Sequence, residues 1–177
     1  PSPVVRLFSL LVPKTQVAVS VSIDGREIDC SDHVVSAYKP QDQLNKTDSF
    51  TPGEDTVVVT LESLAWGRSG DKGSKANIGV IARDPAFVPY IAARLTPEHV
   101  AEAFGHFLEP GQAHPVERFY LPGIHAFNFL LHDVLGGGGI ASLRTDPQGK
   151  GYSQLLLAET IEIPRTLAET FNLQPCA

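Results

Sequence analysis

The chain has 177 residues, of which 42% are hydrophobic and 19% are charged, and its formal net charge is −6. This length and composition suit about one domain with a buried core, and the acidity argues against nucleic acid or an anionic membrane as the main partner. No apolar run reaches the roughly 18 residues of a membrane-spanning helix, and the N-terminus has no signal-peptide pattern. Two distant cysteines, Cys30 and Cys176, predict neither a disulfide framework nor a zinc cluster. We therefore expect a soluble cytoplasmic protein.

The first predicted elements are two strands joined by a tight turn. Alternating valines over residues 16–23 predict a strand. Asp24-Gly25 is typical of a two-residue hairpin turn, and the chain then returns through Glu27 and Ile28. This part of the sequence therefore predicts a β-hairpin.

The chain divides into four predicted segments. Residues 1–38 start at Pro1 in a chain without methionine, and we expect them to be the tail of a preceding N-terminal domain of a longer polypeptide. Residues 39–54 are polar, contain prolines and have no periodicity, which is typical of a linker. Strands and helices alternate over residues 55–165, and their order predicts an α+β domain with a ferredoxin-like sandwich. Residues 166–177 are expected to form a C-terminal tail.

Periodicity places the elements of the α+β segment. Thr96-Pro97 is a helix start signal, because threonine suits the N-cap and proline the first helical position. His125 and His132 are predicted to lie on one helix face, about 10 Å apart, which is too far for one metal ion. The predicted strands are 56–62, 77–82, 116–121, 140–145 and 160–163, and the predicted helices are 84–95, 97–108, 123–135 and 152–159.

The most distinctive stretch is residues 67–73, Gly-Arg-Ser-Gly-Asp-Lys-Gly. Glycine lets a backbone approach a ligand closely, and such a loop can aim several N–H groups at one anion while Arg68 and Lys72 add positive charge. The stretch does not match the P-loop pattern and misses the nucleophile-elbow pattern of serine hydrolases by one residue. We interpret it as an anion-binding loop, with a charged surface turn as the alternative.

A second glycine-rich cluster begins with four consecutive glycines, Gly136 to Gly139. Four consecutive glycines raise the entropic cost of folding, and a need for close approach to a ligand would explain why they are present. The predicted strand over residues 140–145 follows and leads to Asp146, and residues 147–150 are predicted to form a turn. Close packing of a helix end against a sheet is the alternative interpretation. We expect this cluster to face the first one.

Both clusters belong to a longer series of unusual motifs. Over residues 55–165 this series resembles the C-terminal domain of the acyclic terpene utilisation protein A (AtuA) family, and residues 1–25 resemble the tail of that family's larger N-terminal domain. The resemblance implies a ferredoxin-like fold and a place in bacterial pathways that degrade acyclic terpenes and branched acids as coenzyme A thioesters. The motifs are Arg68-Ser-Gly-Asp-Lys-Gly73, Ala76-Asn-Ile-Gly-Val-Ile-Ala-Arg83, Tyr120-Leu-Pro122, Asn128-Phe129, Gly136 to Gly139, and Ser142-Leu-Arg144 with Asp146, Gln148, Gly149 and Lys150.

Two functional hypotheses follow. The first is a domain of a catabolic enzyme, of the hydratase or lyase kind, that acts on a carboxylate or on a coenzyme A thioester and for which no cofactor or metal is identified. Its expected catalytic residues are Asp71, Lys72 and Asp146, with either aspartate as the proton carrier. The second is non-catalytic: the domain assembles a homo-oligomer and supports the larger N-terminal domain. The residues expected to bind substrate or anion are Arg68, Ser69, Gly70, Gly73, Asn77, Asn128, Gly137, Gly138, Arg144, Gln148 and Lys150.

Overall fold

The computed structural model describes residues 10–28 and 55–176. These two stretches belong to separate compact units. The predicted linker, residues 39–54, and Cys30 lie outside the described residues. Within the described ranges, no helix combines the length and the apolar character needed to cross a membrane.

Residues 10–28 contain the predicted hairpin. Strands β1 (Val21–Ile23) and β2 (Arg26–Ile28) pair antiparallel. Asp24 and Gly25 have φ angles of 51° and 76°, the left-handed conformation that a type I′ turn requires at both central positions. The first strand begins later than predicted, at Val21, and Lys14–Gln16 form a 3₁₀ turn before it.

Residues 55–176 contain two antiparallel sheets. One has four strands in the order β4-β5-β7-β6, and in the other β3 pairs with β8. Short helices connect the strands, so the predicted α+β class is confirmed. The strands are β3 (Thr56–Thr60), β4 (Ala65–Lys72), β5 (Lys75–Ala82), β6 (Val116–Leu121), β7 (Ala126–Leu131) and β8 (Thr160–Pro164), and the helices are α1 (Leu61–Leu64), α2 (Val88–Arg94), α3 (Pro97–Ala103), α4 (Tyr152–Leu157) and α5 (Arg165–Thr170).

The four-stranded sheet has one covered face and one open face. On the covered side, Gly67 of β4 lies directly against Ser153 and Leu157, and the absence of its side chain lets α4 approach the sheet. On the open side, Trp66 and Ile81 remain exposed among the described residues. The domain core therefore lies between the sheet and the helices. The side chains that β5 and β7 bury there are Ala76, Ile78, Val80, Ala82, Phe127, Phe129 and Leu131.

The helix predicted over residues 123–135 is wrong, because Ala126–Leu131 form the central strand β7. Strand β7 pairs with β5 on one side and with β6 on the other, and this pairing outweighs the helical spacing of its apolar residues. The 3₁₀ turn and the left-handed His125 that precede it, with a φ of 51°, lead the chain into the strand. His125 and His132 therefore lie beyond opposite ends of a strand rather than on one helix face.

The strand predicted over residues 140–145 is also wrong. Gly136 to Gly139 all have positive φ, between 44° and 94°, so the chain turns repeatedly there. Gly139–Ala141 form a 3₁₀ turn, and residues 142–151 contain no strand. A helix that the sequence did not predict, Arg165–Thr170, follows the last strand and buries Ala168.

Two predicted elements end earlier than expected. Strand β3 stops at Thr60, and Leu61–Leu64 form a helical turn instead of extending it. Helix α3 ends at Ala103, shortly before Gly105, although the predicted helix ran to residue 108. Strand β6 has its predicted bounds.

Candidate functional site

The predicted glycine-rich loop lies almost entirely within strand β4. Ala65–Lys72 pairs with β5 along its full length, and Gly70 lies opposite Asn77. The turn is confined to Gly73 and Ser74, and Gly73 has a φ of 66°. The loop prediction is therefore wrong. A paired strand holds its backbone extended, so it cannot wrap several consecutive N–H groups around one anion as a loop can.

The register brings polar and glycine residues together on the open face of the sheet. Arg68 lies opposite Gly79, and Gly79 lies opposite Asn128 on the next strand. Asn77 Nδ2 donates a hydrogen bond to Asn128 Oδ1 at 3.3 Å. Because Gly70 and Gly79 have no side chains, the sheet has a shallow depression beside this amide pair.

An open cleft of about 290 Å³ lies over this depression. The Lys150 ammonium reaches it from outside the sheet, and Lys150 Nζ lies 3.5 Å from Asp71 Oδ1. Within the part of the chain that the structure describes, neither Arg68 nor Lys72 forms an ion pair. The cleft thus gathers positive charge around a floor of small and amide groups. Its lining residues are Arg68, Ser69, Gly70, Asp71, Lys72, Asn77, Gly79 and Lys150.

The hydroxyl of Ser69 is used inside the protein. Ser69 Oγ donates to the Lys150 carbonyl at 3.1 Å and accepts a hydrogen bond from Ser153 N at 2.9 Å. The side chain is buried on the covered face. It therefore joins strand β4 to the start of helix α4, and only the backbone of Ser69 is left to line the cleft.

The two glycine clusters meet, as predicted. A Cβ placed on Gly138 would lie 1.9 Å from the Gly73 carbonyl oxygen. Leu135 N donates to Ser74 O at 3.0 Å, and Gly137 N donates to Ser74 Oγ at 3.3 Å. The second cluster therefore packs on the turn between β4 and β5, which agrees with the close-packing interpretation of its glycines.

Asp146 fixes the turn that precedes helix α4. Its Oδ1 accepts from Lys150 N at 3.0 Å and its Oδ2 accepts from Gly151 N at 2.8 Å. Burial raises the pKa of Asp146, but hydrogen bonds from the backbone N–H groups of Gly151, Lys150, Gln148 and Gly149 lower it, and the net pKa is below the usual value. The carboxylate is thus held ionised, and it does not line the cleft.

Arg144 lies at a second cavity, of about 540 Å³, which Asp146 and Tyr152 also line. Its Nη2 donates to the Phe107 carbonyl at 2.9 Å, and its guanidinium lies 5.3 Å from the centre of the Phe107 ring. The guanidinium is therefore occupied by packing and hydrogen bonding within the fold. Although this cavity is larger than the cleft, it does not contain a comparable cluster of cations.

The structure thus divides the predicted site residues into groups. The cleft collects charged and amide residues from β4, β5 and the segment before α4. Gly138 packs on Gly73, Gly137 N donates to Ser74 Oγ, and Gln148 is exposed at its turn. Sequence reasoning missed Gly79. The sequence signal for Gly79 is its position inside a predicted strand, because a glycine there often marks a place where another group approaches the backbone.

Comparison with known families supports this fold. The pattern of the AtuA ferredoxin-like domain matches residues 59–162, more than half of the chain. Comparisons with curated proteins and with solved structures find no match. The matched range holds the whole four-stranded sheet and the cleft residues, so the predicted ferredoxin-like fold is confirmed. This chain therefore belongs to the AtuA ferredoxin-like domain family.

Proposed function

We propose that this domain binds an anionic small molecule, a carboxylate or a coenzyme A thioester, in the cleft between Arg68, Lys72 and Lys150. The observation that carries the proposal is the gathering of these cations around an open floor, where Asp71 is the one carboxylate among the described lining residues. The chain as a whole has a net charge of −6, so this local excess of positive charge opposes the general composition. Like charges held close together repel one another, and a bound anion relieves that repulsion.

The open face changes from charged to apolar along the strands, which supports a ligand with an acyl part. Lys72 and Lys75 lie opposite each other at one end, and Trp66 and Ile81 lie opposite each other at the other end. The exposed fractions of Trp66 and Ile81 are 53% and 42%. Six residues of strand separate the two ends, a distance of about 20 Å. An anionic head at the lysines and a hydrocarbon chain at the tryptophan would match this gradient.

The chemistry that we propose uses the remaining polar groups of the cleft. Asp71, whose carboxylate contacts Lys150 at the cleft, is the group that we propose to exchange a proton with a bound acyl group, as a hydratase or lyase requires. The Asn77–Asn128 amide pair offers a hydrogen-bond donor to a thioester or carboxylate oxygen beside it. Lys72 and Arg68 contribute positive charge near that oxygen.

Calorimetry tests this proposal directly. A branched acyl-CoA and its free acid are titrated into the 177-residue chain and into Arg68→Ala and Lys72→Ala. Each variant is expected to bind about tenfold more weakly, the effect of one lost charge-assisted contact. Arg165→Ala is the matched control, because Arg165 is an exposed cation of α5 that pairs with Asp55 at 2.9 Å. Equal affinities in all four proteins would contradict the proposal.

A second candidate is assembly of a homo-oligomer, which the apolar part of the open face favours. Phe119 and Leu121 of β6 are exposed by 42% and 43%, on the same face as Trp66 and Ile81. Such a cluster is typical of a contact surface. Ile81→Glu and Phe119→Glu are expected to lower the mass measured by analytical ultracentrifugation if this face assembles copies. An unchanged mass would count against assembly through this face.

A further inference from the structure

The net positive charge of the cleft lining is larger than the single negative charge of a carboxylate. Arg68, Lys72 and Lys150 against Asp71 give the lining a formal charge of +2. Lys75 lies opposite Lys72 at the same end of the sheet and adds another cation nearby. A carboxylate carries one negative charge, whereas a phosphate monoester carries about −1.5 to −2 at pH 7. The charge of the lining therefore matches a phosphate group better than a carboxylate.

Lys150 reaches this cleft by a route that depends on Gly70. The Lys150 carbonyl accepts from Ser69 Oγ, on the covered face, but a Cβ on Gly70, which points to the open face, would lie 3.0 Å from Lys150 Nζ. Among the described residues β4 is an edge strand of its sheet, and the Lys150 side chain passes around that edge to reach the open face. The missing side chain of Gly70 leaves the space in which the ammonium lies.

The ammonium of Lys150 is held loosely although its backbone is fixed. Asp146 accepts from Lys150 N, and Ser69 Oγ donates to Lys150 O, so the main chain is tied on both sides. The ammonium contacts Asp71 at 3.5 Å, and the two side chains are 57% and 36% exposed. Such a long, exposed pair contributes little to stability. Lys150 can therefore turn from Asp71 towards a bound anion at small cost.

We infer that the cleft selects a doubly charged phosphate group over a carboxylate, and that Lys150, seated over Gly70, sets this preference. The inference rests on the proposed function, since the phosphate occupies the same cleft. Arg68 supplies the planar guanidinium that suits two phosphate oxygens at once, while Lys150, over Gly70, and Lys72 act as point charges farther along β4. The phosphate group itself is what the cleft recognises, whether it is free or esterified to a larger molecule.

NMR titration of the 177-residue chain tests the selectivity. Inorganic phosphate, methyl phosphate and acetate are added at constant ionic strength while the amide shifts of β4 and β5 are followed. Both phosphates are expected to bind about tenfold or more tightly than acetate, the advantage of one further ionic contact. A tighter methyl phosphate identifies an esterified phosphate as the natural source, and a tighter inorganic phosphate identifies the free ion; both results support the inference.

Variants test the part played by Lys150. Lys150→Ala and Gly70→Ala are each expected to weaken phosphate binding about tenfold and acetate binding about threefold or less. Gly70→Ala displaces only the flexible end of a lysine, so far-ultraviolet circular dichroism should be unchanged. Arg165→Ala removes one positive charge far from the cleft and is expected to leave both affinities unchanged.

The pH dependence gives an independent measure. Phosphate monoesters lose their second charge near pH 6, so phosphate affinity is expected to fall between pH 7.5 and about 5.5 while acetate affinity stays level. A phosphate affinity that is constant over this range, equal affinities for phosphate and acetate, or equal losses for both ligands in Lys150→Ala would each overturn the inference and leave the proposed anion site standing. If neither these ions nor the acyl-CoA binds, both proposals fall.

Discussion

Gly138 lies so close to Gly73 that a Cβ on Gly138 would come within 1.9 Å of the Gly73 carbonyl oxygen. The contact joins the four-glycine run to the turn between β4 and β5. No side chain fits between the two backbones, so Gly138 is required by packing as well as by its φ of 73°.

Gly138→Ala should therefore destabilise the domain much more than Gly139→Ala. Both residues have positive φ, but Gly138 combines it with a ψ of 159°, a conformation that essentially only glycine adopts, whereas Gly139 has open space where its Cβ would lie. The steric overlap at Gly138 should add about 2 kcal/mol or more to the loss of unfolding free energy. Urea denaturation of both variants measures the difference, and equal losses would show that the contact is not tight in solution.

Ser69→Ala should loosen the start of helix α4. Ser153 N donates to Ser69 Oγ at 2.9 Å, and Ser153 is buried, so the variant leaves a buried N–H without its partner. We expect a loss of about 1–3 kcal/mol in unfolding free energy. Ser74→Ala is the comparison, because its hydroxyl accepts only a longer, exposed bond from Gly137 N and its loss should be smaller. Hydrogen exchange of the Ser153 amide should accelerate in Ser69→Ala alone.

Asp146→Asn should change how stability depends on pH. Although burial raises the pKa of Asp146, the backbone donors around it lower the folded-state pKa below its ordinary value. Its contribution is therefore fully present above the ordinary pKa, near 3.9, and is lost as the pH falls through the folded-state value. At pH 7 the variant should have the lower melting temperature. The gap should close as the pH drops below about 3.9, and a constant gap would contradict the assignment.

Arg118→Met should weaken the end of helix α2. Arg118 Nη1 donates to the carbonyl oxygens of Ala92 at 2.6 Å and Leu95 at 2.9 Å. The variant leaves both carbonyls without this donor, and we expect a loss of about 2–3 kcal/mol. Arg165→Met, at an exposed ion pair with Asp55, should lose about 1 kcal/mol or less. Chemical denaturation compares the two, and a smaller loss for Arg118→Met would contradict this account.

Local signals predicted several elements correctly. Strand β6, Val116–Leu121, has its predicted bounds, and Pro115 and Pro122 flank it directly, so the signals that end it are local. The N-cap at Thr96 is also correct, since Thr96 Oγ1 accepts from His99 N at 3.1 Å. Strand β7 was mistaken for a helix because its strand character depends on partners on both sides, which the spacing of its own residues does not reveal.

The site was predictable in composition but not in shape. The sequence holds Arg68 and Lys72 in one glycine-rich stretch, and both line the cleft, but the glycines of this stretch belong to a strand instead of a loop. Lys150 is 79 residues from Asp71 in the sequence, and its side chain approaches Asp71 around the edge of strand β4. No local pattern encodes that approach, because it follows from the order of strands in the sheet and from the position of α4.

The path of Lys150 around β4 also affects how this sheet can meet other chains. A free edge strand offers unpaired backbone groups to which a foreign strand can add, and a lysine on such an edge opposes that addition. The Lys150 side chain lies at the edge of strand β4, and Ser69 links the same strand to the start of α4. Intermolecular strand pairing through the four-stranded sheet would therefore be directed to its other edge, β6.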